Sequence, residues 1–401
     1  MGITGLNKLI MNCAPKAFFS INSNCLYGKR VAIDACNWMY NNMNIARKKV
    51  IDKRFCISMY IDDMYVRREW FTLLIRFLFR WLENNITPVF VFDGVSPLEK
   101  KDVKDKRKQT KAGTKKRIEA LQTKIEESGG SHSCSIHLLN ELKRELKNYN
   151  VISAEDFNLF KTFLHGLGIP CIQASSECEH LCSVLCMEGK VAAVYSADTD
   201  NLVYGCPLMI TKLMDIYDEK VNRKTLFLEC VRLDEALRGL HISHTEFVDM
   251  CILCGCDYNT GFVNDAFQAY ILIQQYKLID LFPATLDISK TKHYRCRELF
   301  AYKNSQSLIL PSERLPNKGN YDIDKTNLDK IKAQMEMIGD FFYMDRMKRA
   351  YTKMTYSRDG WPSNLLLIPT PVYIPPHMKG PILPKYGENK FVVNLMVNPP
   401  T

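Results

Sequence analysis

Three short stretches of the chain are apolar at consecutive positions rather than at alternate ones, the mark of strands buried on both faces of a parallel sheet. They are Arg30-Val31-Ala32-Ile33-Asp34, Pro88-Val89-Phe90-Val91-Phe92-Asp93-Gly94 and Val191-Ala192-Ala193-Val194-Tyr195. Between them the apolar positions return at helical spacing, from Trp70 to Leu82 and from Ala154 to Leu167. Strands alternating with helices predict a doubly wound α/β fold around a central, mostly parallel sheet flanked by helices. The pattern leaves strand order open.

Two regions break this pattern. From residue 99 to 127 apolar positions thin out, and eleven Lys or Arg fall between Lys100 and Lys124. Ser128-Gly129-Gly130-Ser131 follows as a break, and a second helical segment runs from Ile136 to Tyr149. This reads as a basic helical insertion that leaves the sheet and returns to it. Nine of the seventeen prolines lie beyond Trp361, which predicts an extended tail draped over a surface. The chain thus divides into 1–98, the first part of the core; 99–150, the basic insertion; 151–285, the rest of the core; and 286–401, a C-terminal extension.

With 401 residues, 46% of them hydrophobic, the chain can bury a core without disulfides. No apolar run is long enough for a membrane span. The opening residues lack the features of an export signal, and Leu6 stands where a myristoylation motif wants Ser or Thr. The fifteen cysteines are therefore expected as reduced thiols in a cytosolic or nuclear compartment. A net charge of +10, clustered as it is after residue 99, points to a polyanionic partner.

The acids carry the chemistry. Asp34, Asp93 and Asp198 each stand at or just beyond the end of an apolar run, with Asp200 two residues further on. Sites in open α/β sheets form outside the carboxyl ends of the strands, so these acids should converge on one crevice. If the third strand runs on to residue 200, period two turns Asp198 and Asp200 the same way. Glu177 and Glu179 flank Cys178 just before a helical run. In mid-helix they would diverge by about 200°, whereas at a loop-to-helix junction both can face one site. Asp257 closes the run from Cys251. Any one of these acids could be a cap or a turn residue; recurrence at three strand ends is what argues for a site.

Like charges this close stay ionised only if cations neutralise them, and an all-carboxylate site suits Mg²⁺, with Mn²⁺ as its substitute. Two such ions about 3.5–4 Å apart activate a water and stabilise the leaving oxygen of a phosphodiester. An aspartyl-phosphatase reading, with Asp198 as nucleophile and Asp200 as its acid/base partner, stays open as an alternative. Cys251, Cys254 and Cys256 lack an evident fourth zinc ligand, although His132, Cys134 and His137 cluster elsewhere. Cys178, Cys182 and Cys186 read as a small apolar helix face.

Taken in order, these residues resemble the flap endonuclease family of XPG-type, structure-specific 5′ nucleases, most closely its poxvirus members. The likeness rests on Met1-Gly2-Ile3-Thr4-Gly5-Leu6, Val31-Ala32-Ile33-Asp34-Ala35, Val91-Phe92-Asp93-Gly94, Ser176-Glu177-Cys178-Glu179, Asp198-Thr199-Asp200 and Phe247 to Tyr258. It runs from residue 1 to about 285. The resemblance implies a PIN-like nuclease core with a helical arch. It also implies Mg²⁺-dependent, two-ion hydrolysis of DNA at junctions of single strand and duplex.

Residue by residue, the resemblance makes Asp34, Asp93, Glu177, Glu179, Asp198, Asp200 and Asp257 metal-binding carboxylates. We expect Asp34, Asp93, Glu177 and Glu179 to hold mainly one ion, and Asp198, Asp200 and Asp257 the other. Lys100 and Arg107 are implied as contacts to the scissile phosphate, with Lys104 beside them on the arch. Tyr40 is implied as a base-stacking aromatic and Arg47 as a nearby phosphate contact, while Gly2 would lie near the active site. A monomer in viral DNA replication, repair and recombination in host cytoplasm is expected, with viral replication proteins as candidate partners and the nucleus as the alternative location. A non-catalytic scaffold for branched DNA is the rival within the same family.

Departures from the family pattern are specific. After Asp257 the stretch Asn259 to Phe267 has one glycine and no basic residue, where the family has a Gly-rich hairpin that holds duplex phosphates and a monovalent cation. No sliding-clamp motif is recognisable at the C-terminus. Gln275 to Phe282 mimics its spacing but reads as part of the domain.

Overall fold

The computed structural model describes residues 2–55, 60–130, 133–166, 169–218 and 223–301. The proline-rich tail and His132 lie outside these described residues. Seven strands form one sheet: β1 Phe18–Asn22, β2 Arg30–Asp34, β3 Thr87–Phe92, β4 Cys171–Gln173, β5 Ala193–Tyr195, β6 Leu208–Asp218 and β7 Arg223–Arg232. Their order is β1-β7-β6-β5-β2-β3-β4. From β4 to β6 every pairing is parallel, and β7 and β1 add two antiparallel pairings at the far edge. The mostly parallel sheet read from the three apolar runs is what the chain forms.

The helices are α1 Leu6–Cys13, α2 Ala35–Arg54, α3 Asp63–Leu82, α4 Lys101–Glu127, α5 Ile136–Asn148 and α6 Ala154–Gly166. They continue with α7 Cys178–Met187, α8 Asp200–Val203, α9 Leu233–Leu240, α10 His244–Cys254, α11 Ala266–Tyr276 and α12 His293–Phe300. None among the described residues is long and apolar enough to cross a membrane.

The consecutive apolar residues of β2 and β3 serve two cores at once, because successive side chains leave a strand on opposite faces. Val31, Ile33, Phe90 and Phe92 face one cluster with Trp38, Trp70, Phe77 and Phe160. Ala32, Val89 and Val91 face the other, with Leu9, Val184, Leu185 and Phe247. In the first cluster the Phe160 ring stacks on Trp70 at 5.5 Å and meets Trp38 at 5.6 Å and Phe90 at 5.6 Å.

The basic insertion is the helical pair α4 and α5. Their contact is a small core of their own: Ile118, Leu121 and Ile125 against Leu142 and Leu146, joined by Ile51 of α2. Since the apolar positions of α4 fall in its C-terminal half, its basic first turns stand clear of packing and reach over the sheet.

Strand order locates the crevice. Going outward from β2 the chain passes to β3 and β4, whereas from β5 it passes the other way to β6. The direction of winding therefore reverses between β2 and β5, and ligands bind at the carboxyl ends beside such a switch.

Candidate active site

Asp34 is the last residue of β2, on the switch, and it also caps α2, accepting from the Asn37 N–H at 2.9 Å. Only 1% of it is exposed. Ser196, just past β5 on the other side of the switch, donates to Asp34 Oδ2 at 2.9 Å and accepts from the Asp198 N–H at 3.0 Å. That hydroxyl spans the switch and sets two acids relative to each other. Asp93 follows β3 directly, and its Oδ1 accepts from the Cys178 N–H at 2.9 Å at the start of α7. Glu177 is the N-cap residue of α7 and Glu179 lies in its first turn, the junction geometry that lets both face the crevice.

Asp198 and Asp200 reach the site differently from the expectation. β5 stops at Tyr195, and Asp200 opens the short helix α8, so no strand continues to turn the pair alike. A tight turn does it instead: Asp198 Oδ1 accepts from the Asp200 N–H at 3.2 Å. Gly2 packs on this turn with φ +104°, and a Cβ there would fall 2.3 Å from Thr199 Oγ1 and 2.6 Å from Asp198 Oδ1. The next residue, Ile3, donates its N–H to Thr199 Oγ1 at 2.9 Å. A residue with a side chain does not fit at position 2.

The acids gather in two unequal sets. Carboxylate oxygens of Asp93, Glu177 and Glu179 lie within 4.8 Å of one another, and Asp34 joins Glu179 in an overlapping group with Cys178. This is the quartet expected to hold one ion. Among the described residues, Asp198, Asp200 and Asp257 form no such group, so the second trio is not closed. Asp257 is instead held by cations: Lys100 Nζ at 3.1 Å and Arg107 Nη2 at 3.0 Å. Lys100 also pairs with Glu177, and its side chain is 12% exposed.

The electrostatics follow from this crowding. Burial pushes Asp34 up to about 6, with the Asp93 charge adding to it and the Asn37 N–H opposing. Burial and then the Asp34 and Asp93 charges hold Glu179 well above the carboxylate range. Burial and then Asp198 and Asp257 do the same to Asp200. For Lys100 burial works against the charge, but Glu179, Glu177 and Asp257 outweigh it and raise its pKa. Buried oxygens Glu177 Oε1 and Asp200 Oδ1 have no hydrogen-bond partner among the described residues. Unsatisfied carboxylate oxygens among acids that resist ionising fit a bound divalent cation.

Beside the acids opens a cleft of about 1290 Å³, lined by Tyr40, Asp93, Lys100, Lys104, Arg107 and Lys111 among others. Lys111 Nζ lies 5.2 Å from the Tyr40 ring centre, and Lys104 donates to Ser96 Oγ at 2.6 Å. Arg47 is placed elsewhere. Its guanidinium is buried, pairs with Asp63 at 2.8 Å and sits 5.9 Å over the Tyr149 ring, so it braces α2 against its neighbours and does not line the cleft.

Sequence reasoning missed three positioning groups. Ser196 is one; its signal was a hydroxyl directly after the switch-point strand. Lys161 is the second: it lines the cleft, lies 4.7 Å over the Phe92 ring and donates to Gln173 Oε1 at 2.7 Å. The third is Asn259, which accepts from the Cys256 N–H at 2.9 Å and donates to the carbonyls of Ile252 at 2.9 Å and Thr291 at 2.8 Å. In the loop after α10, beside the close-packed Gly255 and Gly261, this one side chain organises the turn that carries Asp257. Cys251, Cys254 and Cys256 gather no metal-ligand group among the described residues, and Cys178, Cys182 and Cys186 are buried in the apolar core. Within Gln275 to Phe282, Ile279 is buried and Phe282 packs on Tyr276, as expected of a piece of the domain.

The fold and site define an α/β protein with an acidic crevice at the switch point of its sheet, and comparison with known proteins narrows the class. The XPG N-terminal domain matches residues 1–114 and the XPG I-region residues 168–257. All seven acids fall inside these two matches. The chain is 33% identical over 323 residues to flap endonuclease 1 of Cryptosporidium muris, an alignment covering 76% of this chain and 63% of the relative. It is 31% identical over 303 residues to flap endonuclease 1 of Cryptosporidium parvum, covering 72% and 57%. The chain thus spans about three-fifths of the length of these relatives. The catalytic core of Rad2 in complex with DNA substrate superposes with a TM-score of 0.51 at 18% identity, covering 86% of this chain and 98% of that one, and shows the shared fold. Together the matches support assignment of the chain to the flap endonuclease family.

Proposed function

We propose that this chain is a divalent-metal-dependent, structure-specific 5′ nuclease that hydrolyses DNA phosphodiesters at junctions of single strand and duplex. One observation carries the reading. Asp34, Asp93, Glu177 and Glu179 cluster at the switch point of the sheet, and two cations, Lys100 just before α4 and Arg107 on it, bind Asp257 beside them. The acids suit Mg²⁺, with Mn²⁺ able to substitute; bound there, such ions supply the positive charge that activates water and stabilises the leaving oxygen. Asp34, Asp93, Glu177 and Glu179 would form the main set of ligands, with Asp198, Asp200 and Asp257 completing a second.

The chain's own residues do the rest. Lys100 and Arg107 now neutralise Asp257 and Glu177; with metal charge present they are free to turn to the scissile phosphate and oppose its developing charge. Tyr40, backed by Lys111, offers an aromatic face in the cleft on which a base can stack. Lys104 and its basic neighbours on α4 draw the single strand over the acids. On the sequence resemblance alone, we further propose a role in viral DNA replication, repair and recombination in host cytoplasm. The XPG-domain matches and the flap endonuclease relatives do not favour the aspartyl-phosphatase alternative.

The test is cleavage of 5′-labelled flap, nicked, gapped and blunt duplex DNA with Mg²⁺, with Mn²⁺ and with chelator, beside folded Asp198→Asn. Metal-dependent cutting near the junction that the variant loses is the expected result. Binding without cutting under any metal would replace the nuclease with a scaffold, and wild-type rates in the variant would remove Asp198 from the mechanism.

A further inference from the structure

One corner of the acid cluster is not built of oxygen. Cys36 is the second residue of α2 and Cys178 the first of α7, so both thiols stand at helix N-termini that converge on Asp93. Cys36 Sγ, Cys178 Sγ and an Asp93 oxygen all lie within 4.8 Å of one another. Cys178 Sγ donates toward Asp34 Oδ1 at 3.2 Å and Glu179 Oε2 at 3.4 Å. Cys36 opens on the cleft, while Cys178 is fully buried beneath it.

We propose that Cys36, Cys178 and Asp93 form a separate capture site for a thiophilic divalent cation of the Zn²⁺ class, overlapping the hard-metal site at Asp93. Thiolates prefer such ions, while carboxylates alone prefer Mg²⁺ or Mn²⁺, so two metal preferences meet within one pocket. Two sulfurs and one oxygen supply three corners of a tetrahedron, and the cleft leaves the fourth to water. Ligand atoms around tetrahedral Zn²⁺ are about 3.5–3.8 Å apart, so the donors need close in by only about 1 Å. Burial holds both thiols in the protonated form, so a soft cation must itself displace their protons on binding. Capture makes two metal–sulfur bonds and one metal–oxygen bond and breaks two S–H bonds, the protons passing to solvent.

The site would act as an inhibitory lock. An ion held there takes Asp93 away from Glu177 and Glu179, with which it shares the carboxylate group. This inference rests on the acids being a hard-metal site, so its test does not depend on cleavage.

Cd²⁺ is the probe, titrated under anaerobic conditions into metal-free, fully reduced full-length protein from which reductant has been removed, with millimolar-range Mg²⁺ present. The readout is the ultraviolet thiolate-to-Cd²⁺ charge-transfer absorbance, with Zn²⁺ then added to displace the probe. One tight equivalent is expected, with Cys36→Ser weakening it by more than about tenfold, the scale on which even outer-shell changes act. Because Cys36 lines the cleft, its serine variant keeps the fold, as circular dichroism would verify; Cys178→Ser gives the second arm. A band unchanged in folded Cys36→Ser, or no tight equivalent in the wild type, overturns the site. A protein that cuts flaps but takes up no Cd²⁺ loses only this inference; one that binds Cd²⁺ through Cys36 but cuts no DNA loses only the nuclease reading.

Discussion

Lys100 is where opposing charges are balanced most tightly. It brings one ammonium group, 12% exposed, to a pocket shared by Glu177 and Asp257. Removing one partner of such a buried set leaves the others uncompensated, at a cost of about 3–5 kcal/mol. We therefore expect Lys100→Met to destabilise the metal-free protein by about that much in urea titrations, and divalent metal to restore more stability to the variant than to the wild type. If Lys100 also meets the phosphate, kcat for flap cleavage falls by about 10²–10³ in the same variant. Equal metal stabilisation of both proteins would show that Lys100 is not standing in for a cation.

Asp34 gives the matching prediction in pH. Its carboxyl is raised from the ordinary range to about 6, so the folded protein binds the proton more tightly than the unfolded chain does. Its contribution to stability is full below about pH 4 and is lost as pH rises through about 6. Metal-free protein should thus show a falling melting temperature across that window, measured by differential scanning fluorimetry. Asp34→Asn, which keeps the cap on α2, should flatten the slope. Asp34, Asp93, Asp198 and Asp257 were legible at this scale because each follows an apolar run, and Glu177 and Glu179 because they stand just before a helical one. Ser196 was not, since a hydroxyl gains its role only when β2 and β5 lie side by side, and nor was the pairing of Arg47, because its partner Asp63 sits sixteen residues away on another helix.

At the scale of elements, α12 is held by an ionic clamp. Arg297 donates to fully buried Asp249 of α10 at 2.7 and 2.5 Å and pairs with Asp280 at 2.6 Å. Asp249 Oδ2 also accepts from the Ile279 N–H at 3.0 Å. Arg297→Ala leaves a buried carboxylate unpaired, and equilibrium urea unfolding should report a loss of about 3–5 kcal/mol. A loss below about 1 kcal/mol would mean that α12 is not integral to the core. β2 and β3 could be read directly because both their faces are buried. β6 and β7 could not. Between Ile210 and Lys212 the register of their pairing shifts, so residues before and after Thr211 alternate out of phase and the period-two signature breaks. β4 and β5, at three residues each, are too short to show a period, and β5 was found only because Val191 and Ala192 extend its apolar run.

For the whole molecule, the sheet supplies an acidic floor and the insertion a basic roof over the cleft. Long-range attraction to DNA belongs to the roof, since the floor alone would repel a phosphate backbone. Strand order, which no local pattern contains, decides that Asp34 and Ser196 meet; the basic roof, by contrast, was legible from composition alone, because a helix with so few apolar positions has no place in a core. Lys104 and Lys111 line the cleft, and among the described residues neither forms a salt bridge with the seven acids. If each meets a phosphate of the single strand, each releases its share of counterions, about 0.7 in the slope of log affinity against log salt. Lys104→Ala with Lys111→Ala should therefore flatten that slope by about 1.4 on a single-stranded 5′ flap, measured by fluorescence anisotropy in chelator so that no cleavage intervenes. On blunt duplex the same double variant should change the slope by far less, since the cleft meets the strand and not the helix. An equal change on both substrates would move the contact from the cleft to the outer face of α4 and make the roof a general DNA-binding surface.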